Sequence, residues 1–543
     1  MLRLSFNQNT LFYGDNLEIL RRHIRDDSVD LIYLDPPFNS KTDYNILFKE
    51  LSGEQSSAQI QAFSDFWFWD STAREAYEYL VINAPNENLA KLIEALNNFM
   101  GKSNFLAYIV MMGIRLIELY RVLKETGSIF LHCDPTASHY LKILMDSIFG
   151  VNNFVNEIIW KRQAAHSDTK QGSKHCGRLH DTILFYAKNK GKHLWNQQYT
   201  PHDVEYLDKF YRYKDPDGRI YRLDNLLGPG GAAKRNPKYE FLGVTRYWRY
   251  SKENMEKLYR RGRIIQTKKG NVPMLKRYLD EMPGVSIQDI WTDIKPLSAW
   301  AKERLGYPTQ KPIELLERII KTCSNEGDWV LDPFCGCGTT IIASEKLRRN
   351  WIGIDVTWLA INLVKGRLND MFSKTSHVSP LIFKIEGEPK DIGAAKELAK
   401  NRYQFQWWAL SLIGARPAGS ITATSREGKK GADEGVDGWL RFREGVDENV
   451  KKIVIQVKSG HVSVKDIREH RDVILKQDAV MGLFISLEAP TKEMIKEVKT
   501  TDPYISPVWQ TVFPKIQLIT IEDLLNGKRP YIAPTISIYQ EAQ

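Results

Sequence analysis

Apolar and polar positions alternate in two distinct rhythms along the first 155 residues. Asp30-Leu31-Ile32-Tyr33-Leu34 is a short apolar run closed by Asp35-Pro36-Pro37, the pattern of a buried strand with a hard stop behind it. Gly127-Ser128-Ile129-Phe130-Leu131-His132 reads the same way. Between them, Phe105 to Lys124 carries helical spacing. Such alternation predicts an α/β sheet. The rhythm returns over 305–370. There the pattern predicts a helix from Pro312 to Cys323, with proline at or near its first position. A strand, Trp329-Val330-Leu331, then leads into a Gly-rich turn and a helix from about Thr340, followed by a strand Trp351-Ile352-Gly353-Ile354 ending at Asp355. A further α/β segment runs from about 393 to 527.

The stretch 155–300 breaks this rhythm. It is rich in Tyr, Trp, Arg, Lys and Gly, with turn signals at Asp215-Pro216-Asp217-Gly218 and Gly228-Pro229-Gly230-Gly231. It reads as an inserted module. Residues 372–392 have little periodicity and read as a linker. Five regions result: 1–155, 156–304, 305–371, 372–392 and 393–543.

Charge sharpens the picture of the insert. Residues 155–300 hold 28 Lys and Arg against 16 Asp and Glu, an excess larger than the +10 of the whole chain. A basic excess with interleaved aromatics is the footprint of a polyanion binder, although a solvated basic surface has the same composition. Arg260-Arg261-Gly262-Arg263 is a candidate phosphate contact, whereas Trp291 and Trp300 are expected in a core. The length, 543 residues, leaves room for three or four domains at roughly 150 residues each. No apolar run approaches the ~20 residues of a membrane span, and Met1 to Thr10 lacks a signal-peptide pattern; a cytoplasmic location is expected. Cys133, Cys176, Cys323, Cys335 and Cys337 form neither a disulfide framework nor paired zinc motifs.

Two blocks carry chemistry. In Asp332-Pro333-Phe334-Cys335-Gly336-Cys337-Gly338-Thr339, small residues let a ligand approach the backbone closely, and the following helix offers free N–H groups. Asp355, at the end of the next strand, is placed to accept hydrogen bonds from two ribose hydroxyls. The third glycine of a dinucleotide fingerprint is replaced by Ile341, so the ligand is expected to lack a pyrophosphate. S-adenosylmethionine meets that description. The second block is Asp35-Pro36-Pro37-Phe38. An exocyclic amino nitrogen is a poor nucleophile because its lone pair is delocalised into the ring. The Asp35 carboxylate and the Pro36 carbonyl are two acceptors for its N–H groups, and proline adds no competing donor. Phe38 would stack on the base. The base must first be flipped out of the duplex.

Together these blocks resemble the amino-group DNA methyltransferases of the permuted β class, in which the D-P-P-aromatic block precedes the recognition region and the F-x-G-x-G block follows it. Tyr307-Pro308-Thr309-Gln310-Lys311-Pro312, Leu315 to Ile320 and Leu11-Phe12-Tyr13-Gly14-Asp15 continue the resemblance, which covers about residues 8–370. It implies a Rossmann-like methyltransferase sheet with an inserted target-recognition region. It implies Asp35, Pro36, Pro37 and Phe38 as catalytic residues, and S-adenosylmethionine held by Asp15, Gln310, Lys311, Asp332, Phe334, Gly336, Gly338, Thr339 and Asp355. It further implies double-stranded DNA as partner. Asp rather than Ser at the head of the catalytic block is more similar to adenine-N6 than to cytosine-N4 members. A cytosine-N4 enzyme and a non-catalytic DNA-binding protein stay open as alternatives.

In the C-terminal α/β segment, Gly435-Val436-Asp437-Gly438 and Ile453-Val454-Ile455-Gln456-Val457-Lys458 resemble the PD-(D/E)xK nuclease fold of the Mrr-like branch, with Q-x-K in place of E-x-K. The resemblance implies a restriction-endonuclease-like domain with Mg²⁺ between Asp437, the Gln456 side chain and the Val457 carbonyl, and Lys458 beside the attacking water. The early helix departs from the family, because Phe405 is followed by Gln406 where that family often carries Glu. Glu397 and Glu434 are the possible substitutes. A site with one certain carboxylate would bind Mg²⁺ weakly, so an active nuclease and an inactive fold kept for DNA contact both remain open.

Overall fold

The computed structural model describes residues 8–37, 68–163, 174, 176–298, 301, 303–305, 307, 309–373, 383–418, 435–442, 444 and 450–533. Phe38, Trp300, Pro308 and Glu434 lie outside the described residues.

The apolar runs become strands of one nine-stranded sheet. These are β1 (Thr10–Tyr13), β2 (Val29–Leu34), β3 (Leu123–Cys133), β4 (Phe154–Lys161), β5 (His180–Ala187), β6 (Ile290–Trp291), β7 (Trp329–Asp332), β8 (Asn350–Asp355) and β9 (Lys384–Glu386). Their order is β6-β4-β5-β3-β2-β7-β8-β1-β9. The central strands β3, β2, β7, β8 and β1 are parallel, and β5 runs antiparallel between β3 and β4.

Residues of β2 explain why its apolar run is unbroken. Ile32 and Leu34 face one core with Ile129 and Leu131, while Leu31 and Tyr33 face another with Phe130 and Phe185. A sheet covered on both faces needs apolar residues at every position, not at alternate ones. On the first face lies the helix Asn104–Val122, capped by Ser103 Oγ accepting from the Leu106 N–H, and buried almost all the way round. On the second lies the helix Ile313–Cys323, which buries Leu315, Leu316, Ile319, Ile320 and Cys323 as one stripe. Pro312 immediately precedes that helix, where its missing N–H costs nothing.

The structure draws the insert more tightly than the charge pattern does. Strands β4, β5 and β6 fall in the basic stretch yet belong to the sheet. Trp291 is buried there, beneath the Arg318 guanidinium. The charge count averages over 146 positions and so conceals the apolar run Ile183-Leu184-Phe185-Tyr186 inside it. Residues 197–288 form a compact unit of their own. Within it, the strands Tyr199–Thr200 and Val285–Ser286 pair antiparallel, so the entering and leaving chain form a two-stranded neck. A four-stranded sheet and a hairpin, Lys238–Phe241 with Val244–Tyr247, surround a core of Leu226, Phe241, Trp248, Met255 and Leu275.

The segment 372–392 is not featureless. Its strand β9 pairs parallel with β1 and closes one edge of the large sheet. Beyond it, a second sheet of five strands is built from Arg416–Pro417, Gly438–Phe442, Lys451–Lys458, Met481–Ser486 and Ile516–Thr520, in that order. The two sheets share a continuous core. Ile341, Trp351, Trp358, Ile361, Val364 and Leu368 cluster with Phe405, Trp408, Leu410, Phe442 and Ile453. The helices Trp358–Ser373 and Arg402–Leu412 pack together. The Trp358 N–H donates to Gln404 Oε1 at 2.8 Å, and the Asn362 amide donates to the Trp407 carbonyl at 3.1 Å. Among the described residues, no helix is long and apolar enough to cross a membrane.

Candidate active site

Neighbouring strands of the large sheet stop at one edge, and each delivers a carboxylate there. Asp35 follows β2, Asp332 closes β7, Asp355 closes β8 and Asp15 stands just beyond β1. Register fixes their neighbourhood: Ile32 lies beside Leu331, Asp332 beside Gly353 and Asp355 beside Tyr13. Asp35 and the turn Phe334–Gly338 therefore leave adjacent strands, although the insert and more separate them in the chain.

Lys311 binds the two halves together. Its ammonium is hydrogen-bonded to the Asp35 carboxylate, and the two side chains are only 10% and 15% exposed. Burying either charge alone would cost several kcal/mol, so the pairing keeps both in place. Tyr307, a few residues before Lys311, lies over Gly336; a Cβ added at Gly336 would come 3.3 Å from its ring. Burial and the nearby charges of Asp355 and Asp35, with Cys335 and Cys337, hold its hydroxyl well above the usual phenol range. One ring thus senses the ends of both motifs. The Gln310 side chain accepts from the Leu305 N–H at 2.8 Å and donates to the Glu303 carbonyl at 2.6 Å, shaping the loop.

The turn after β7 is held by carboxylates. Asp355 accepts from the Gly336 N–H at 2.9 Å through one oxygen and from the Thr357 N–H and hydroxyl at 2.8 and 2.9 Å through the other. Burial raises its carboxyl above the ordinary range, against the pull of these hydrogen bonds. Gly338 precedes the helix Thr339–Lys346 with φ +77°, and a Cβ there would come within 2.5 Å of Val364; position and backbone both demand glycine. Thr339 is buried at the helix start, near the Arg367 guanidinium that donates to the Cys337 carbonyl at 2.7 Å. Phe334 packs against the core of the first face. Pro36 is buried and Pro37 half-buried.

Asp332 accepts from the Phe334 N–H at 3.0 Å. Burial nevertheless pushes its carboxyl up to about 7. A carboxyl that binds its proton more tightly in the folded than in the unfolded chain stabilises the fold most fully below its unfolded value, and that contribution is lost as pH rises through about 7. Asp332→Asn, which keeps an acceptor for Phe334 and carries no charge, is expected to flatten this pH dependence. Thermal melts of both proteins at pH 5 and pH 8 check it: the variant should gain relative to the parent at pH 8. An equal difference at both pH values would contradict the assignment.

Asp15 caps the helix Asn16–His23, accepting from the Leu17 and Glu18 N–H groups, and pairs with the buried Arg115 at 2.8 Å. Asn16 accepts from Arg115 Nε at 2.6 Å and donates to the Pro333 carbonyl at 2.8 Å, tying the helix after β1 to the turn after β7. Arg115 was recoverable from sequence: it is a charge in the middle of the apolar helix, and a buried charge there requires a partner. A second set lies behind Asp35. Tyr33 Oη meets His132 Nδ1 at 2.9 Å, His132 Nε2 meets Asp181 at 3.1 Å, and Asp181 pairs with Arg162 at 3.2 Å. His132 is fully buried and Asp134 caps the chain after β3, accepting from the Thr136 and Ala137 N–H groups.

In the second sheet, Asp437 accepts from the Val457 N–H at 2.7 Å, and its own N–H donates to the Ile455 carbonyl at 2.9 Å, so it faces the Gln456 strand. Gln456 Oε1 is buried with no hydrogen-bond partner among the described residues. Lys458 pairs with Asp466 at 3.1 Å. Gln406 donates to the Asp437 carbonyl at 3.4 Å, and Glu397 is exposed and paired with Lys400. No three His, Cys, Asp or Glu side chains gather as a metal site among the described residues. One carboxylate and one amide oxygen are a thin donor set for Mg²⁺.

A family model described as DNA methylase matches residues 29–366. The chain belongs to that family. A model described as restriction endonuclease matches residues 410–526, the second sheet. Among curated relatives, type II methyltransferase M.EcaI of Enterobacter cloacae is 34% identical over 264 residues, 48% of this chain and 57% of its own. The Mod subunit of the type III restriction-modification enzyme StyLTI of Salmonella typhimurium is 28% identical over 359 residues, 63% of this chain and 50% of its own. The chain spans about half the length of the curated relatives it matches. The solved structure of PvuII DNA methyltransferase, described as cytosine-N4-specific, covers 70% of this chain and 95% of its own at 11% identity, with a TM-score of 0.31; a likeness that low adds nothing to the family assignment.

Proposed function

We propose that the chain is a site-specific DNA methyltransferase that transfers the methyl group of S-adenosylmethionine to adenine N6, as part of a restriction–modification system. The observation that carries this reading is the meeting of Asp35 and the Gly336 turn on adjacent strand ends, with Lys311 on the former and Tyr307 over the latter.

The donor set suits the cofactor. Asp355 is a buried carboxylate whose charged form would be favoured by hydroxyl donors such as a ribose diol. The turn Phe334–Gly338 and Thr339 at a helix start would receive the amino-acid end. When bound, S-adenosylmethionine supplies an electrophilic methyl on a sulfonium. Asp35 and the Pro36 carbonyl accept the two N–H groups of the target amine and direct its lone pair. Lys311 holds the Asp35 carboxylate in one orientation, so the acceptor is in place before the base arrives. Asp rather than Ser at position 35 favours adenine. Phe38 would stack on the base, and duplex DNA would be gripped by the basic insert.

The experiment is nucleoside analysis of DNA incubated with the full chain and labelled S-adenosylmethionine. N6-methyladenine is expected. N4-methylcytosine would change the base and keep the chemistry, and unlabelled DNA would end the reading. For the second sheet, the nuclease centre is read as Asp437, Gln456 and Lys458. Its one carboxylate and one amide oxygen would hold Mg²⁺ weakly. Mg²⁺-dependent cleavage, where it occurs, is expected to vanish in Asp437→Ala and in Lys458→Ala; nicking that survives both would place its source elsewhere.

A further inference from the structure

The unit 197–288 holds nineteen Lys and Arg against eleven Asp and Glu, but its cations are not equivalent. Arg219 pairs with Asp280 and Glu281 at 2.8 and 2.7 Å, and Arg263 with Glu281 at 2.6 Å, the two guanidinium groups both packing on the Tyr278 ring. Lys276 is committed to Asp215, and Arg277 to Asp224. These groups hold the four-stranded sheet together. The run Arg260 to Arg263, the phosphate candidate in the sequence, is partly drawn into them.

Lys234, Arg235 and Lys238 behave differently. All three are exposed, and none has a carboxylate partner among the described residues. Lys234 and Arg235 sit on one loop that is built rather than loose, and Lys238 opens the hairpin strand into which it runs. The Asn236 amide donates to the carbonyls of Pro229 at 2.9 Å and Gly231 at 3.1 Å. The Gly228 N–H donates to the Tyr247 carbonyl at 2.8 Å, and the Trp248 N–H to the Pro237 carbonyl at 2.9 Å, which staples both loop ends to the hairpin. Arg235 is held at φ +55°, a left-handed conformation that costs a non-glycine residue about 1 kcal/mol or more and persists only where the surroundings enforce it. Tyr247 stands opposite Lys238 in the hairpin, with the Lys238 ammonium 5.5 Å from its ring centroid.

We infer that the loop 228–238 is a clamp for the phosphodiester backbone of duplex DNA, with Lys234, Arg235 and Lys238 each neutralising phosphate charge. This rests on the DNA-methyltransferase reading and names the part of the insert that grips the partner. Stiffness matters because a preformed cationic loop loses little backbone freedom on contact. Phosphate contacts fix position and carry no sequence information, so base choice must come from other residues.

The test uses the full chain and a fluorescent duplex of arbitrary sequence, titrated over a range of salt. Each lost phosphate contact lowers the slope of log K against log salt by ~0.9, so the triple variant Lys234→Ala, Arg235→Ala, Lys238→Ala is expected to lose about 2.7 from the slope and to bind on the order of 10²-fold more weakly near 0.1 M salt. Lys257→Ala, whose cation is already paired with Glu253, is expected to leave the slope unchanged. A triple variant that melts like the parent and keeps its affinity and slope overturns the clamp while leaving the methyltransferase reading intact. A parent chain that binds no duplex overturns both.

Discussion

Asp35→Ala is expected to lose methyl transfer by about 10²–10³-fold, the usual effect of removing one preorganised hydrogen-bonding group from a reacting centre, while S-adenosylmethionine binds with unchanged affinity. The separation follows from the architecture. Asp35 follows β2, whereas the turn Phe334–Gly338 follows β7 and is held by Asp355 from β8. Losing Asp35 also strips the counter-charge from Lys311, which is 10% exposed, so some loss of thermal stability accompanies the loss of turnover. Asp35→Asn distinguishes the two effects: it fills the same volume but presents an N–H beside Lys311, and turnover should fall at least as far. The checks are single-turnover transfer of labelled methyl and calorimetric titration of the cofactor. Turnover within a few-fold of the parent in the alanine protein would remove Asp35 from the chemistry.

Expressing residues 1–392 alone is expected to give an aggregating chain, not a smaller methyltransferase. The helix Trp358–Ser373 follows shortly after Asp355 and buries Trp358, Ile361, Val364 and Leu368 in a core continuous with Phe405 and Trp408 of the helix Arg402–Leu412 and Phe442 of the second sheet. Uncovering a large apolar side chain costs about 1.5–3 kcal/mol. Exposing two or three therefore removes much of the ~5–15 kcal/mol that typically holds a domain folded. The Trp358 N–H would also lose Gln404. Near-ultraviolet circular dichroism and a thermal melt decide the matter: a truncated chain with the parent's midpoint and cofactor affinity would show that the shared core is dispensable.

The elements of the large sheet were legible because a strand covered on both faces needs an uninterrupted apolar run, and β2, β3 and β7 have one. The edges were harder to read. β9 is three residues long, Lys384–Glu386, with charged residues at both ends, and only its pairing with β1 makes it a strand. β4 and β5 were hidden by a charge count that mixes them with the insert. The motif carboxylates could be anticipated from strand-end positions, and Arg115 from its place in an apolar helix, whereas which groups pair with which could not. The Lys311–Asp35 contact spans 276 positions, and the chain from Tyr33 through His132 and Asp181 to Arg162 joins four separate segments. Pairings of that kind arise from tertiary packing and leave no periodic trace. Gln310, expected at the cofactor, also shapes a loop, because an amide suited to a ligand is equally suited to a backbone.

The two-stranded neck of the unit 197–288 makes it a cassette. Gly284 takes φ +121° there, and a Cβ would come 2.3 Å from the Thr200 carbonyl oxygen, so the crossing strands are drawn as close as backbone allows. A module whose first and last residues meet in this way can be lengthened, shortened or exchanged without altering the spacing of the two chain ends that lead into it. On the proposed function, a new DNA selectivity could then arise in this unit with the transfer chemistry left as it is.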